Sequence, residues 1–311
     1  MKSSSILNFI RENDVYLILT HRNPDGDTLC SAAALCSALR RMGKTAYLYD
    51  NPGISDRFNE YVGKFVMDPD YIWTKVISVD TASETQFCPG FVSDVDLSID
   101  HHPSNTHYAR ETFLKDTYSS CGEIICEIIF KLCGNLTKEE ADLLYIAVST
   151  DTGCFQYSNT NIHTMDTISK LLKAGAENGK LNNIFFRKEK KERLKLDGMI
   201  LSNLSYHFDN RICVAVITKD MLSQCGLNDG DLDDVASIAF RAEGCCVAIT
   251  IREIADGKCK VSVRSDDSVS STGICSYFGG GGHKNAAGCT LNASCEVTKE
   301  MLLSVAQEVM R

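Results

Sequence analysis

Short apolar runs alternate with longer segments of helical periodicity along the first half of the chain. Residues 15–19 are β-branched or large and apolar, as in a buried strand. Residues 28–42 then place apolar or small side chains at helical spacing, with two arginines in the last turn. Further strand-like segments lie at 45–49, 76–79 and 97–100, and the last of them ends in an aspartate. This alternation predicts an α/β domain with a mainly parallel sheet flanked by helices.

Two capping boxes predict where further helices of this domain begin. Ser120 is followed by Glu123, and Thr137 by Glu140, the spacing that satisfies the first free amides of a helix. The second helix is expected to end near Asp151. One more helical pattern, over 162–174, closes the domain.

A charged run separates the two halves of the chain. Residues 187–195 carry few apolar side chains and predict an interdomain connector, in which a solvated helix face is favoured over a basic guide for an anionic ligand. After it the pattern changes to short strands, and the turn Asp256-Gly257 joins two of them. The strands are expected at 212–217, 246–251 and 261–263, and the flanking helices at 232–241 and 297–309. We therefore predict a domain over 1–185, a connector over 186–205 and a smaller α+β domain over 206–311.

Net charge narrows the class of ligand. The chain has 311 residues and a formal charge of −9, which argues against a broad non-specific grip on duplex nucleic acid. A short anionic ligand is not excluded, since bound cations can reverse the sign of a local site.

The N-terminus and the cysteines indicate the compartment. Residues 1–7 contain no apolar signal core, and no apolar run approaches the length of a membrane span, so we expect a cytoplasmic protein with no membrane association. The cysteine count, 15, is odd, and many cysteines lie within apolar patterns without Cys-x-x-Cys spacing. We interpret them as reduced, buried thiols rather than as disulfides or zinc ligands.

Carboxylates and imidazoles follow the ends of several predicted elements. Each alone has an ordinary interpretation, as a turn, a helix cap or a surface histidine pair. Together on one rim of a parallel sheet they would repel one another unless divalent cations were bound between them. Such mixed ligands suit a pair of Mn²⁺ ions, with Mg²⁺, Co²⁺ or Zn²⁺ as alternatives. The candidates are His21, Asp25, Asp27, Asp80, His101 or His102, and Asp151.

A glycine run in the second domain is the other unusual stretch. Residues 279–282 are all glycine, which would let backbone amides approach phosphate oxygens; a flexible hairpin end is the alternative. His283 and the two residues after it exclude the nucleotide-triphosphatase loop, which needs Gly-Lys-Ser/Thr there. Arg264 and Ser265, at a predicted strand end, could hold a second or terminal phosphate.

This ordered set of motifs resembles the DHH/DHHA1 phosphoesterase family, named for an Asp-His-His motif. The resemblance covers nearly the whole chain. In length the chain most resembles the nano-RNase and oligoribonuclease branch of this family, whose members also act as phosphatases on 3′-phosphoadenosine 5′-phosphate. The motifs are His-x-x-x-Asp-x-Asp at 21–27, Asp80, Asp-His-His at 100–102, Asp151, and Gly-Gly-Gly-His at 280–283 followed by Asn285-Ala286-Ala287-Gly288.

The resemblance implies a role for each of these positions. One Mn²⁺ would be bound by His21, Asp25 and Asp80. The second would be bound by Asp27, Asp80, His101 and Asp151, with Asp80 bridging and acting in catalysis. His102 would contact the scissile phosphate or protonate the leaving oxygen. The active site would lie in the interdomain cleft, with the substrate also bound by Arg264, Ser265, Gly280, Gly281, Gly282, His283 and Asn285.

The implied activity is two-metal hydrolysis of short RNA or DNA oligonucleotides to mononucleotides. Linear dinucleotides such as pApA are expected substrates, 3′-phosphoadenosine 5′-phosphate is a further one, and a homodimer is suggested by the resemblance alone. A RecJ-like exonuclease is less favoured because the chain lacks a basic aromatic track. The glycine-histidine stretch disfavours an inorganic pyrophosphatase, and the intact set of ligands disfavours a nucleotide sensor without turnover.

Overall fold

The structure, a computed structural model, describes residues 3–232 and 235–310. The chain forms two compact units, Met1–Lys188 and Glu189–Arg311. The boundaries at 185 and 205 stay predictions. No helix among the described residues is long and apolar enough to cross a membrane.

Five parallel strands form the sheet of the first unit, as predicted. In spatial order they run β2-β1-β3-β4-β5, and every neighbouring pair is parallel. The strands are β1 (Tyr16–Leu19), β2 (Ala46–Leu48), β3 (Lys75–Val79), β4 (Leu97–Asp100) and β5 (Glu111–Leu114). The edge strand β5 was not predicted, because Phe113 is its single buried apolar residue and so it has no apolar run.

The described helices of the first unit share a hydrophobic core with one face of this sheet, including Ile18 and Ile77. On the other face, Leu17 and Val76 pack against loop residues such as Trp73. Within the described residues these helices are α1 (Ser3–Glu12), α2 (Gly26–Arg41), α3 (Asp56–Val62), α4 (Cys121–Cys133), α5 (Lys138–Asp151), α6 (Ile162–Lys173) and α7 (Asn178–Asn182). Helix α2 is buried along most of its length against α4 and α5. Its short central side chains, Ala32 to Ala34, are fully buried and allow this close packing.

The two predicted capping boxes have different outcomes. At α5 the box is complete, since Thr137 and Glu140 exchange side-chain and backbone bonds. At α4 the Ser120 hydroxyl accepts the Glu123 amide, but the reciprocal bond expected from the Glu123 carboxylate is not made. That carboxylate instead bonds the hydroxyl of Ser119 and Nδ1 of His163, because it is fully buried and needs both partners.

The second unit is built on a six-stranded mixed sheet. Its order is β10-β11-β9-β8-β7-β6, with β7 and β8 parallel and the other neighbours antiparallel. The predicted turn at 256–257 does join β8 to β9. The strands are β6 (Ser205–His207), β7 (Ile212–Ile217), β8 (Val247–Ala255), β9 (Lys258–Ser265), β10 (Gly281–His283) and β11 (Ala286–Leu291).

Helices cover both faces of this second sheet. On one face α11 packs against Ile249, Val261 and Val263. On the other face, residues of α8 and α9 share a core with Cys213 and Ala248. The helices are α8 (Lys191–Ser202), α9 (Lys219–Cys225), α10 (Ser271–Ser276) and α11 (Cys295–Val309).

The helix expected at 232–241 was wrong where it can be compared. Residues 233 and 234 lie outside the described residues, and the rest forms two 3₁₀ turns, Val235–Ser237 and Ala239–Arg241. Over so few residues the apolar spacing does not separate a three-residue from a 3.6-residue period.

Candidate metal centre and substrate residues

The carboxyl ends of three neighbouring parallel strands bring the candidate metal ligands to one edge. His21 follows β1, Asp80 follows β3, and His101 follows β4. Asp25 caps α2, with its Oδ1 accepting the amides of Asp27 and Thr28 at 3.1 and 3.2 Å. Asp27 lies in the first turn of α2, and Asp151 is the last residue of α5.

Two groups of ligand atoms meet around Asp80. His21 Nε2 lies 3.8 Å from Asp25 Oδ1 and 3.8 Å from Asp80 Oδ2. On the other side His101 Nε2 lies 3.4 Å from Asp80 Oδ1 and 3.6 Å from Asp151 Oδ2. In each of the sets His21, Asp25, Asp80 and Asp27, His101, Asp151, the ligand atoms lie within 4.8 Å of one another. The structure thus brings together all six predicted ligands, and Asp80 lies between the two sets.

Asp80 itself is held in an unusual state. Its φ of 57° lies in the left-handed region, which non-glycine residues adopt at a cost and which concentrates at functional sites. Its side chain is 3 % exposed, and Oδ1 has no partner with hydrogen-bond geometry among the described residues. A buried carboxylate oxygen in that state is costly unless a cation binds it.

Backbone amides at the start of α4 hold the Asp27 carboxylate in place. The amides of Cys121 and Gly122, at the N-terminus of α4, donate to its two oxygens at 2.7 and 2.9 Å. Burial, with the charges of Asp80 and Asp151, nevertheless raises the pKa of Asp27 well above its usual range. The local negative charge therefore exceeds what the amide donors can offset, which is the condition that a divalent cation relieves.

Each histidine of the Asp-His-His motif is oriented by a different acceptor. His101 Nδ1 lies 3.2 Å from the Tyr118 carbonyl, which can only accept, so Nε2 is the nitrogen that faces the carboxylates. His102 Nδ1 lies 2.8 Å from Asp100 Oδ1, and the Asn105 amide donates to Asp100 Oδ2 at 2.6 Å. These acceptors fix which ring nitrogen each histidine offers to a ligand.

The pKa values of His101 and Asp151 are both raised in this cluster. Burial alone would lower the pKa of His101, but the contact with Asp80 and the charge of Asp27 raise it to about 10. Burial raises the pKa of Asp151 to about 7, although the nearby His101 opposes that rise. Both pKa shifts reflect the concentration of negative charge in this cluster, which a bound divalent cation would offset.

The set of donor atoms fits hard or borderline divalent cations. Carboxylate oxygens and imidazole nitrogens suit Mn²⁺ and its neighbours. Cys121 also lies near Asp27 and Asp80, but its Sγ contacts the Ile99 carbonyl at 3.5 Å, and burial raises the pKa of its thiol well above the usual range. A soft thiolate also suits Mn²⁺ and its neighbours less well than carboxylate and imidazole do.

Several groups that shape this centre carry little or no sequence signal. The amides of residues 121 and 122 and the Tyr118 carbonyl are backbone atoms, which any residue type supplies. Asn105 is a side chain, but its contact with Asp100 exists only once the loop after β4 folds back. Its one signal in the sequence is an amide side chain shortly after the Asp-His-His motif.

The predicted substrate residues lie together in the second unit. Arg264 and Ser265 end β9, and the last two glycines of the run begin β10 of the β10–β11 hairpin beside them. Phosphate binding by this stretch stays a prediction. The buried Ser265 hydroxyl donates to the Val269 carbonyl at 2.8 Å, and the Asn285 amide donates to the Ser265 carbonyl at 3.2 Å. These two side chains hold the hairpin in place, whatever else they contact.

Hairpin geometry accounts for two of the glycines. A Cβ on Gly280 would lie 2.3 Å from the Gly288 carbonyl oxygen. Gly282 has a φ of 147°, where side chains are strained. A Cβ on Gly281, by contrast, would meet no described atom within 4 Å, so the hairpin itself does not require a glycine there. A role of Gly281 and His283 in binding a ligand stays a hypothesis.

Two family descriptions and several known proteins match this chain. The family description "DHH family, N-terminal domain" matches residues 15–148, and "DHHA1 domain" matches residues 209–311. The chain is 29% identical over 286 residues to the bifunctional oligoribonuclease and PAP phosphatase NrnA of Thermus thermophilus, covering 90% of this chain and 85% of that protein. It is 27% identical over 285 residues to the Bacillus subtilis protein of the same name, covering 89% and 90%.

A solved structure shows the same fold. An exopolyphosphatase-related protein from Bacteroides fragilis superimposes with a TM-score of 0.89 at 22% identity, covering 98% of this chain and 95% of that one. At this identity the likeness concerns the fold alone.

Proposed function

Because the chain belongs to the DHH/DHHA1 family of phosphoesterases, we propose that it is a phosphodiesterase that hydrolyses short oligonucleotides to mononucleotides. The relatives named oligoribonuclease and PAP phosphatase support diribonucleotides and pApA as substrates, and 3′-phosphoadenosine 5′-phosphate as a further one. One structural observation carries the proposal: the two oxygens of the buried Asp80 carboxylate face different sets of metal-ligand atoms, Oδ2 toward His21 and Oδ1 toward His101.

The ligand assignment follows from those two sets. His21, Asp25 and Asp80 would hold one cation, and Asp27, Asp80, His101 and Asp151 would hold the other. We propose Mn²⁺ as the ion, on its preference for mixed imidazole and carboxylate ligands. Two such ions, when bound, supply an activated water and neutralise charge on the phosphate.

The chain's own residues would do the remaining work. Asp100 holds Nδ1 of His102, which leaves Nε2 as the nitrogen that can give a proton to the leaving oxygen. His102 is 30% exposed, so substrate can reach it. In the second unit, Arg264 and the β10–β11 hairpin would bind the part of the substrate that does not react.

We also propose a cytoplasmic location and a homodimer. All fifteen cysteines are free, which supports a cytoplasmic, reducing compartment. A homodimer rests on the family resemblance, and light scattering on the purified chain would test it.

A substrate panel tests the proposed activity. With Mn²⁺ present we expect rapid release of mononucleotide from a diribonucleotide and from pApA, and release of phosphate from 3′-phosphoadenosine 5′-phosphate, all measured by chromatography. Asp80→Asn should lower these rates by at least about a thousandfold, since it removes the shared ligand. Asparagine tolerates the left-handed conformation, so the backbone should be kept.

Other outcomes would assign the chain elsewhere. Preference for a long single-stranded DNA would favour the RecJ-like alternative, and preference for pyrophosphate would favour the pyrophosphatase. Binding of dinucleotide without product would indicate a sensor. Full activity of Asp80→Asn would contradict the two-cation assignment.

A further inference from the structure

A pocket of about 180 Å³ lies on one face of the second unit's sheet, over β8 and β9. Its polar lining comes from alternate residues of the two strands: Thr250, Arg252, Lys260, Ser262 and Arg264. In the antiparallel register Thr250 is opposite Ser262, and Arg252 is opposite Lys260, so these side chains share one face. We call this feature the β8–β9 pocket.

The described residues that line the β8–β9 pocket include three basic side chains and no acidic one. Arg252 and Lys260 are a directly opposed cross-strand pair, and like charges in that arrangement are destabilising. The exposed Asp229 carboxylate lies 3.7 Å from Arg252 and offsets it in part. Across residues 3–232 and 235–310, no carboxylate pairs with Lys260 or Arg264. An anion bound between the cations would relieve their repulsion.

A buried hydroxyl adds a second, independent observation. Thr250 is 3 % exposed, and its Oγ1 has no hydrogen-bond partner among the described residues. A buried polar group without a partner costs folding free energy, so a valine of the same shape would be the more stable choice for the fold alone. Facing the cations, the hydroxyl is instead a ready donor to an anionic oxygen.

Arg264 lies farther along the sheet than the pair formed by Arg252 and Lys260. Lys260 and Arg264 are four residues apart on β9, about 13 Å along an extended strand. Arg252, by contrast, is directly opposite Lys260, so these two cations are the closest pair for binding one phosphate group. Arg264 and the Arg252–Lys260 pair would therefore contact different groups of one ligand.

We propose that Thr250, Arg252 and Lys260 bind a terminal phosphate monoester of the oligonucleotide substrate, separate from the phosphate that is hydrolysed. A monoester carries nearly two negative charges at neutral pH, which matches two adjacent cations better than a singly charged diester does. This inference rests on the proposed function and names the substrate class more closely: oligonucleotides that end in a phosphate.

Kinetics on paired substrates test this subsite. The wild type and Lys260→Gln would be compared on pApA and on unphosphorylated ApA with Mn²⁺, measuring kcat and KM for each. We expect Lys260→Gln to lower the preference for pApA over ApA about tenfold, as loss of one charge-assisted bond predicts, through KM rather than kcat. Lys299→Gln is the matched control, because its helix α11 packs on the opposite face of the sheet.

Thr250→Val separates binding from structure. We expect its melting temperature, followed by calorimetry, to equal or exceed that of the wild type, while its preference for pApA falls in the same direction as in Lys260→Gln. A fall in melting temperature with unchanged preference would show a structural hydroxyl and would count against the subsite. Comparing pApA with ApAp then shows which terminus is bound.

Failure of the subsite and failure of the proposed function give different results. Equal preference for pApA in the wild type, Lys260→Gln and Arg252→Gln, with normal turnover, would overturn the subsite alone. No turnover of either substrate by the wild type would overturn the proposed function. In that case titration of pApA and ApA with EDTA present still decides the subsite: tighter binding of pApA that Lys260→Gln abolishes supports it, and equal affinities refute it.

Discussion

Gly26 shows how a single residue of the metal-binding turn is constrained from outside the turn. Its backbone begins α2 and needs no positive φ, so the glycine is not required for the bend itself. A Cβ there would lie 2.4 Å from Oγ1 and 2.6 Å from Cγ2 of Thr150, one residue before Asp151. The absence of a side chain is what lets the turn with Asp25 and Asp27 approach the end of α5.

We therefore predict that Gly26→Ala destabilises the first unit by about 1–3 kcal/mol through overpacking. It should also lower activity, because α2 must move away from Asp151. Urea unfolding followed by fluorescence of Trp73, the single tryptophan, reports on this unit. Gly179→Ala is the control: it lies in α7 with no atom within 4 Å of an added Cβ, and should leave stability unchanged or raise it by up to about 1 kcal/mol.

At the scale of elements, two antiparallel helices set the distance between the two halves of the metal centre. The start of α2 meets the end of α5 at Gly26 and Thr150. At their other ends the Arg41 guanidinium donates to the fully buried Glu140 carboxylate at 2.9 Å. Glu140 also accepts the amide of Thr137, so the same carboxylate completes the cap of α5 and ties that helix to α2.

Thr137→Ala should cost about 1 kcal/mol of stability, because it removes the hydroxyl that accepts the Glu140 amide. Trp73 fluorescence in urea is again the measurement. Thr137→Ser keeps an equivalent acceptor and should behave like the wild type. Equal losses in both variants would mean that the threonine methyl group, rather than the cap, stabilises this end of α5.

At the scale of the whole molecule, the carboxylate cluster couples cation binding to the stability of the first unit. Asp27, Asp80 and Asp151 are brought into a buried cluster by folding, and burial raises the pKa of Asp27 and of Asp151. In an unfolded chain these groups would separate in water. Cations that bind this cluster should therefore bind the folded state selectively.

We expect Mn²⁺ to raise the melting temperature of the first unit, followed at Trp73, and EDTA to reverse the change. One site held at a hundredfold excess over its Kd would add about 2.7 kcal/mol, or several degrees for a unit of this size. Asp80→Asn should lose most of this shift, and NaCl at equal ionic strength should not produce it. An undiminished shift in Asp80→Asn would place the cations elsewhere.

The sequence by itself determined most of what is local. The strands β1, β3 and β4 are buried on both faces, and β1 and β3 appear as mainly apolar runs. Polar residues at or just after the ends of the three strands mark where ligands gather. That is why the order of residues alone assigns His21, Asp80 and His101 to one rim, and why the ordered motifs indicate the family.

Only the tertiary structure decided the relations between distant segments. The left-handed Asp80, the amides of α4 that hold Asp27, and the packing of Thr150 over Gly26 depend on contacts across dozens of residues, which no local pattern encodes. The same holds for the hairpin formed by the glycine run and for the opposed Arg252 and Lys260, since strand register follows from the folded sheet. Residue type fixes which chemistry is available, whereas packing fixes which groups meet and which remain without a partner.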